Sequence, residues 1–167
     1  MMHAENRQTQ LDTATIRPFQ PGDESAFRAL NEEWITQHFR IEEKDRQTFA
    51  DPQRTIVDPG GQILFAVVDG ECVGCCALVP MKDREFELAK MAVSPRFHGR
   101  GIGKRLLSAA IDAGKAAGAR RLYLETNHKL TPAIRLYESL GFRHVAPEKL
   151  TPSPYSRTDV FMELNFP

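Results

Sequence analysis

Val93-Ser94-Pro95-Arg96-Phe97-His98-Gly99-Arg100-Gly101-Ile102-Gly103-Lys104-Arg105-Leu106-Leu107 runs from the end of an apolar strand into an amphipathic helix, with glycine at every second position of the loop between them. Glycine lets the backbone come close to a ligand, and the first N–H groups of a helix have no intrahelical partner. The positive end of the helix dipole adds to Arg100, Lys104 and Arg105 nearby, so the segment reads as a cradle for a pyrophosphate. Two nucleotide loops fail on spacing. A dinucleotide loop needs G-x-G-x-x-G, whereas these glycines fall at 99, 101 and 103. A Walker loop needs a glycine five positions before its Gly-Lys pair and a hydroxyl after it; here those positions hold His98 and Arg105.

Working outward, Glu85–Val93 is the strand that feeds the loop, and before it lies a hairpin. Its arms are Ile63–Val68 and Cys72–Pro80, and Asp69-Gly70 is the tight-turn signal between them. Further upstream, Ala14–Phe19 reads as a first strand. Asp23 is placed to cap a helix carrying Phe27, Leu30 and Trp34, and a second, charged helix is expected over Glu42–Phe49. After the loop, Ile102, Leu106, Leu107, Ala110, Ile111 and Ala117 form one helical stripe, ended by Gly118. Arg121–Thr126 is a strand and Asn127–Lys129 a loop. Thr131 then caps a helix with Pro132 at its first position and Leu136, Tyr137 and Leu140 inside. Strands near 142–145 and 158–164 finish the chain. Strands first, with a few helices interleaved, predict one mixed α/β sheet.

Composition narrows the class. The chain has 167 residues, enough for one compact domain with a real core. Lys plus Arg and Asp plus Glu are 22 each, which argues against a nucleic-acid face or an anionic membrane surface as partner. No apolar run is long enough to span a bilayer, and the polar start lacks the apolar core of a secretory signal. A flexible tail over residues 1–12, a domain over 13–167 and a cytoplasmic location are expected. Cys72, Cys75 and Cys76 invite a zinc or redox reading, but no second Cys/His pair stands at zinc spacing. On a regular strand 72 and 76 face one side and 75 the other, so buried thiols and no metal site are expected.

The loop resembles motif A of the GNAT acetyltransferase superfamily, [Q/R]-x-x-G-x-[G/A] after a strand ending in Val-x-Pro. Asn127–Phe142, N-H-K-L-T-P-A-I-R-L-Y-E-S-L-G-F, resembles the family's strand-end Asn and its A-x-x-L-Y-x-x-x-G-F helix. The two segments stand in the family's order and, with their strands, cover about half the chain. One departure is plain. Gly101 and Gly103 put His98 where the family carries Gln or Arg; reading Arg96 into that slot makes Gly99 and Gly101 the motif glycines. The resemblance implies a mostly antiparallel twisted sheet with a splayed parallel strand pair, flanked by about four helices. It implies acetyl-CoA as co-substrate and no metal. It also implies direct transfer to a primary amine, with a homodimer as an open alternative to a monomer.

Carried over residue by residue, the resemblance gives Met91, Ala92 and Val93 as backbone partners of the pantetheine arm. His98, Gly99, Arg100, Gly101, Ile102, Gly103 and Lys104 surround the pyrophosphate, and Asn127 bonds the pantetheine. Tyr137 matches the tyrosine that protonates the leaving thiolate, and a phenol is suited to donating. Glu87, on the strand that carries the acetyl group, is the expected base, with Glu125 second. The acceptor pocket is expected from Asn31–Asp45 and Pro152–Arg157. Glu33, with Glu32, His38, Glu42 and Glu43, would suit a cationic amine; Tyr155 and Arg157 stand on the second segment, where Arg157 would suit a carboxylate, as in an amino acid. A small-molecule amine is the expected acceptor. The alternatives are a protein N-terminus or lysine, or a non-catalytic acyl-CoA sensor.

Overall fold

The computed structural model describes residues 14–167, so the tail expected over 1–12 lies outside the described residues. Strands β1 (Thr15–Pro18), β2 (Gln62–Val68), β3 (Glu71–Pro80), β4 (Glu85–Val93), β5 (Arg121–Thr126), β6 (Arg143–His144) and β7 (Val160–Asn165) form one sheet. Its order is β1-β2-β3-β4-β5-β7-β6, and every neighbouring pair is antiparallel except β4–β5. Helices α1 (Glu24–His38), α2 (Glu43–Ala50), α3 (Ile102–Ala116) and α4 (Thr131–Ser139) flank it. The expected mixed sheet with one parallel pair is what forms.

Two apolar clusters divide along the sheet. Leu106, Leu107 and Ala110 of α3 pack with Leu64, Leu78, Leu122 and Leu124 on one face. Phe27 and Ile35 of α1 and Phe49 of α2 pack with Ile63, Phe65 and Ala77 on the other. A strand buried on both faces reads as a continuous apolar run, which is why Ile63–Val68 does not alternate. Gly74 lets α3 sit this close: a Cβ there would stand 2.9 Å from Leu106 Cδ1 and 3.3 Å from the Ala92 carbonyl. The hairpin turn is as expected, with Asp69 and Gly70 both left-handed at φ 49° and 78°.

Several local expectations are corrected. Asp23 precedes α1 but makes no side-chain cap, because Arg17 holds its carboxylate at 2.7 and 3.0 Å. Leu130, not Thr131, is the N-cap residue of α4. Ala117 is exposed, its place on the buried stripe taken by Gly114. A bulge at Val73, between the pairs Ala66↔Gly74 and Val67↔Cys72, breaks the alternation of β3. Cys72 and Cys75 therefore share the α1 side and Cys76 faces α3, which the regular period does not foresee.

Two irregularities of β4 shape the site. Its pairing with β5 stops after Glu85↔Arg121, Phe86↔Leu122 and Glu87↔Tyr123, and beyond Glu87 the strands part. Arg121 pins the closed end of this V, bonding Glu85 at 3.2 Å and Glu163 at 2.7 Å. The second irregularity is a bulge. Ala77↔Ala89 and Cys75↔Ala92 stay in register, so Lys90 and Met91 stand opposite Cys76 alone. Lys90 adopts φ 54°, a left-handed conformation that costs a non-glycine residue roughly 1–3 kcal/mol.

Candidate active site

At the open end of the V, the glycine loop presents bare main chain. Gly99 and Gly101 both have φ 75°, and Gly101 is the N-cap residue of α3. No side chain caps this helix and its first turn holds no acid. Its first bond into the turn is Arg105 N–H to the Gly101 carbonyl at 3.1 Å, so the amides of Gly101, Ile102, Gly103 and Lys104 are left for a ligand. Gly103 sits inside the helix, and a Cβ there would meet Met91 Cε at an ordinary 3.4 Å. Gly99 and Gly101 are thus the glycines that backbone conformation demands. His98 is exposed and turns back onto the strand end, donating from Nε2 to the Val93 carbonyl at 2.8 Å. Met91, Ala92, Val93, His98, Gly99, Gly101, Ile102 and Gly103 line one groove. The side chains of Arg100 and Lys104 do not line it; the Arg100 guanidinium lies 5.0 Å from the Phe97 ring centre.

That groove shares Trp34, Met91, Ala133 and Tyr137 with a second cavity inside the V. Glu87 and Glu125 face into it from the two splayed strands. Glu87 has no hydrogen-bond or ion-pair partner among the described residues. Burial, then repulsion by Glu125, raises its carboxyl to about 7, with Lys90 opposing. Burial also raises Glu125, against a hydrogen bond with Ser153. Tyr137 packs on Phe142 with ring centres 5.9 Å apart, and burial pushes its phenol up. A carboxyl raised to about 7 and a phenol held protonated thus line one cavity, a pairing that general acid–base chemistry can use.

Asn127 lines the same cavity with its amide partly committed. Nδ2 donates to the Arg157 carbonyl at 2.8 Å and Oδ1 accepts from Lys129 N at 2.9 Å. One Nδ2–H is left over. Tyr155 and Arg157 line the cavity as expected, but Glu33 does not. Asn31, Trp34 and Ile35 turn one face of α1 inward, and the 100° helical step puts Glu33 on the opposite, exposed face.

Sequence reasoning missed the hub of the cavity wall, Asp45. This side chain is 0% exposed and accepts from Lys90 Nζ at 2.6 Å, from Arg157 at 2.8 and 2.9 Å and from Glu42 N at 2.8 Å. Burial pushes its carboxyl up, but the bonds from Arg157, Lys90 and the Glu42 amide outweigh that and hold it at about 2. The Glu42–Asp45 capping box was the one local hint. Removing one partner of a buried ion cluster leaves the others uncompensated. Asp45→Asn is therefore expected to destabilise the fold by about 3–5 kcal/mol, read by urea unfolding at pH 7.

Other candidate chemistry finds no setting. Burial raises the Cys75 thiol to about 12 and Cys76 higher still, and neither has an activating base. No group of three or more His, Cys, Asp or Glu arranged for a metal ion occurs among the described residues. No helix among them is long and apolar enough to cross a membrane.

Comparison with known proteins gives a consistent picture. The uncharacterized N-acetyltransferase YjgM of Escherichia coli is 36% identical over 106 residues, covering 59% of this chain and 64% of that protein. The chain spans less than two thirds of the length of the first curated relatives it matches. A GNAT-family acetyltransferase structure from Staphylococcus aureus Mu50 superposes with TM-score 0.82 at 22% identity, over 91% of this chain and 98% of that one. The yncA protein of Salmonella typhimurium, solved with its cofactor acetyl-CoA, superposes with TM-score 0.70 at 22% identity, over 91% and 93%. The profile of the Acetyltransferase (GNAT) family matches residues 24–142, a stretch running from α1 through the glycine loop to the end of α4, and this chain belongs to that family.

Proposed function

We propose that the protein is an acetyl-CoA-dependent N-acetyltransferase that acetylates the primary amine of a small molecule by direct transfer. The observation that carries this is Glu87: an unpaired carboxylate near neutrality, inside a cavity that opens onto an uncapped helix N-terminus. The cradle fits coenzyme A on its own chemistry. Four main-chain amides, two left-handed glycines and the absence of any first-turn acid suit a pyrophosphate. Beyond Glu87, the edge of β4 that faces β5 has no strand partner, and its groups at Met91, Ala92 and Val93 suit pantetheine amides.

Within that frame each residue has one task. Glu87 takes a proton from the acceptor ammonium, directly or through water. A main-chain N–H on the open stretch of β4 donates to the thioester oxygen as charge grows there. The new N–C bond forms, the C–S bond breaks and Tyr137 gives its proton to the departing sulfur, while the second proton shed by the nitrogen returns to the Tyr137 oxygen through water, so that the one proton released in net is the one on Glu87. The spare Nδ2–H of Asn127 is available to the pantetheine, while its other bonds fix the loop that carries Arg157.

A small acceptor is favoured over a protein terminus because the cavity is walled on two sides. The 152–158 segment is tied to α2 by Ser156 on Glu42 and by Arg157 on Asp45, and Trp34 and Phe39 wall the other side. A cytoplasmic location belongs to the same reading. Release of coenzyme A thiol, followed with acetyl-CoA against a panel of amines, tests it. Tyr137→Phe is expected to lower kcat roughly 10²-fold with little change in the KM for acetyl-CoA. A sensor that only binds acyl-CoA would give no thiol release, and Tyr137→Phe would then be silent.

A further inference from the structure

The acceptor cavity is lined by side chains that accept hydrogen bonds and by others that donate them. Glu87 and Glu125 are the acceptors. Lys90, Tyr155 and Arg157 make a donating wall, and each has capacity left over. Lys90 Nζ bonds Asp45 at 2.6 Å and the Tyr155 hydroxyl oxygen at 2.9 Å, which leaves its third N–H. The Tyr155 oxygen accepts from Lys90, so its own O–H is unspent. Arg157 commits Nη1 to Arg40, Glu42 and Asp45 and one Nη2–H to Asp45, leaving Nε–H and a second Nη2–H. Its guanidinium lies 4.4 Å from the Tyr155 ring centre.

The charges on this wall are unequally buried. The Lys90 side chain is 8% exposed and that of Arg157 is 16%, and between them they share one fully buried carboxylate, Asp45. Glu42, the other acid nearby, is more exposed at 26% and divides its oxygens between Ser156 and Arg157. Glu87 ion-pairs with neither cation. The unspent N–H donors on these two part-buried cations suit a further carboxylate supplied by a ligand. The wall is also built at some expense, since Lys90 reaches it only through a left-handed backbone.

We propose that Lys90, Tyr155 and Arg157, positioned by Asp45, bind a carboxylate of the acceptor, so that the amine acetylated at Glu87 belongs to an amino acid. This rests on the acetyl-transfer reading above and names its substrate class. The ammonium is held at Glu87 and Glu125, and the carboxylate at the three donors.

The test is thiol release from acetyl-CoA with matched pairs, each amino acid against the amine that results from removing its α-carboxylate. The wild-type enzyme is expected to prefer the acid in kcat/KM by at least 100-fold for its best pair. Tyr155→Phe, which removes one hydroxyl and leaves the ring that packs on Arg157, is expected to cut that ratio tenfold or more. Lys90→Met is expected to cut it further. Differences in amine basicity within a pair are common to wild type and variants, so the change in ratio reads the wall alone. Acetylation of the decarboxylated amines as fast as the acids, or a ratio untouched in Tyr155→Phe, overturns this inference and leaves the acetyltransferase reading intact. Failure of every amine to release thiol overturns both.

Discussion

Replacing Glu87 with glutamine is expected to lower kcat by 10²- to 10³-fold while the dissociation constant for coenzyme A stays within about twofold, since the loss is one general base. The pH profile gives the sharper signature. The base works as a carboxylate, and burial beside Glu125 raises it to about 7. Wild-type kcat/KM should therefore hold above that value and fall as pH drops through it. Glu125→Gln removes the like charge, so the acid limb should move to lower pH. A limb that stays near 7 in Glu87→Gln would transfer the role to another group.

The same burial has a thermodynamic side with its own sign. A carboxyl raised in the folded state favours folding only while protonated, so Glu87 weakens the fold as pH rises past its ordinary value toward 7. At pH 8 the full shift, from 4.5 to about 7, corresponds to about 3 kcal/mol. Glu87→Gln should melt several degrees above wild type at pH 8, and the gap should close by pH 4. An inactive variant that is more stable only at high pH would identify Glu87 as a group held out of its preferred state for catalysis.

The second large effect is expected at the cradle. Gly101→Glu should weaken coenzyme A binding by 100-fold or more, measured by calorimetry, with the folded state retained. A Cβ at this position meets nothing within 4 Å, so crowding is not the cause. The φ of 75° strains any side-chain-bearing residue by roughly 1–2 kcal/mol, and the added carboxylate sits where the helix offers its amides to phosphate. Gly103→Ala is the contrasting change. Its Cβ lands at ordinary contact distance, inside a helix, and should be tolerated. If Gly101→Glu binds coenzyme A as the wild type does, the pyrophosphate lies elsewhere.

How far the sequence reached depended on the range over which each feature is encoded. β4 and β5 were legible to the residue, because Glu85–Val93 and Arg121–Thr126 are bounded by turn residues and rich in apolar side chains. The glycine loop announced itself through composition. Glu87 was named through the family resemblance, which implies a carboxylate on the strand that leads into the loop. Asp45 was not, since its partners stand 45 and 112 positions away and only the tertiary fold brings them together. The β4 bulge was hidden for another reason. A lysine at a left-handed position carries none of the glycine or asparagine signal that marks such backbone. The cysteine faces went wrong through a similar defect, one extra residue at Val73 that a period of two does not contain.

The parting of β4 from β5 also bears on how the chain behaves in a crowded solution. Unsatisfied strand edges recruit strands from other molecules and seed aggregates. This sheet carries such an edge at its centre, where β4 runs on past Glu87 without a partner on one side. It lies recessed in the V, with Trp34 of α1 and Tyr137 of α4 at its mouth. A slender arm fits there more readily than a neighbouring polypeptide, so the protein keeps hydrogen-bonding groups ready for the proposed co-substrate without offering them to its own copies.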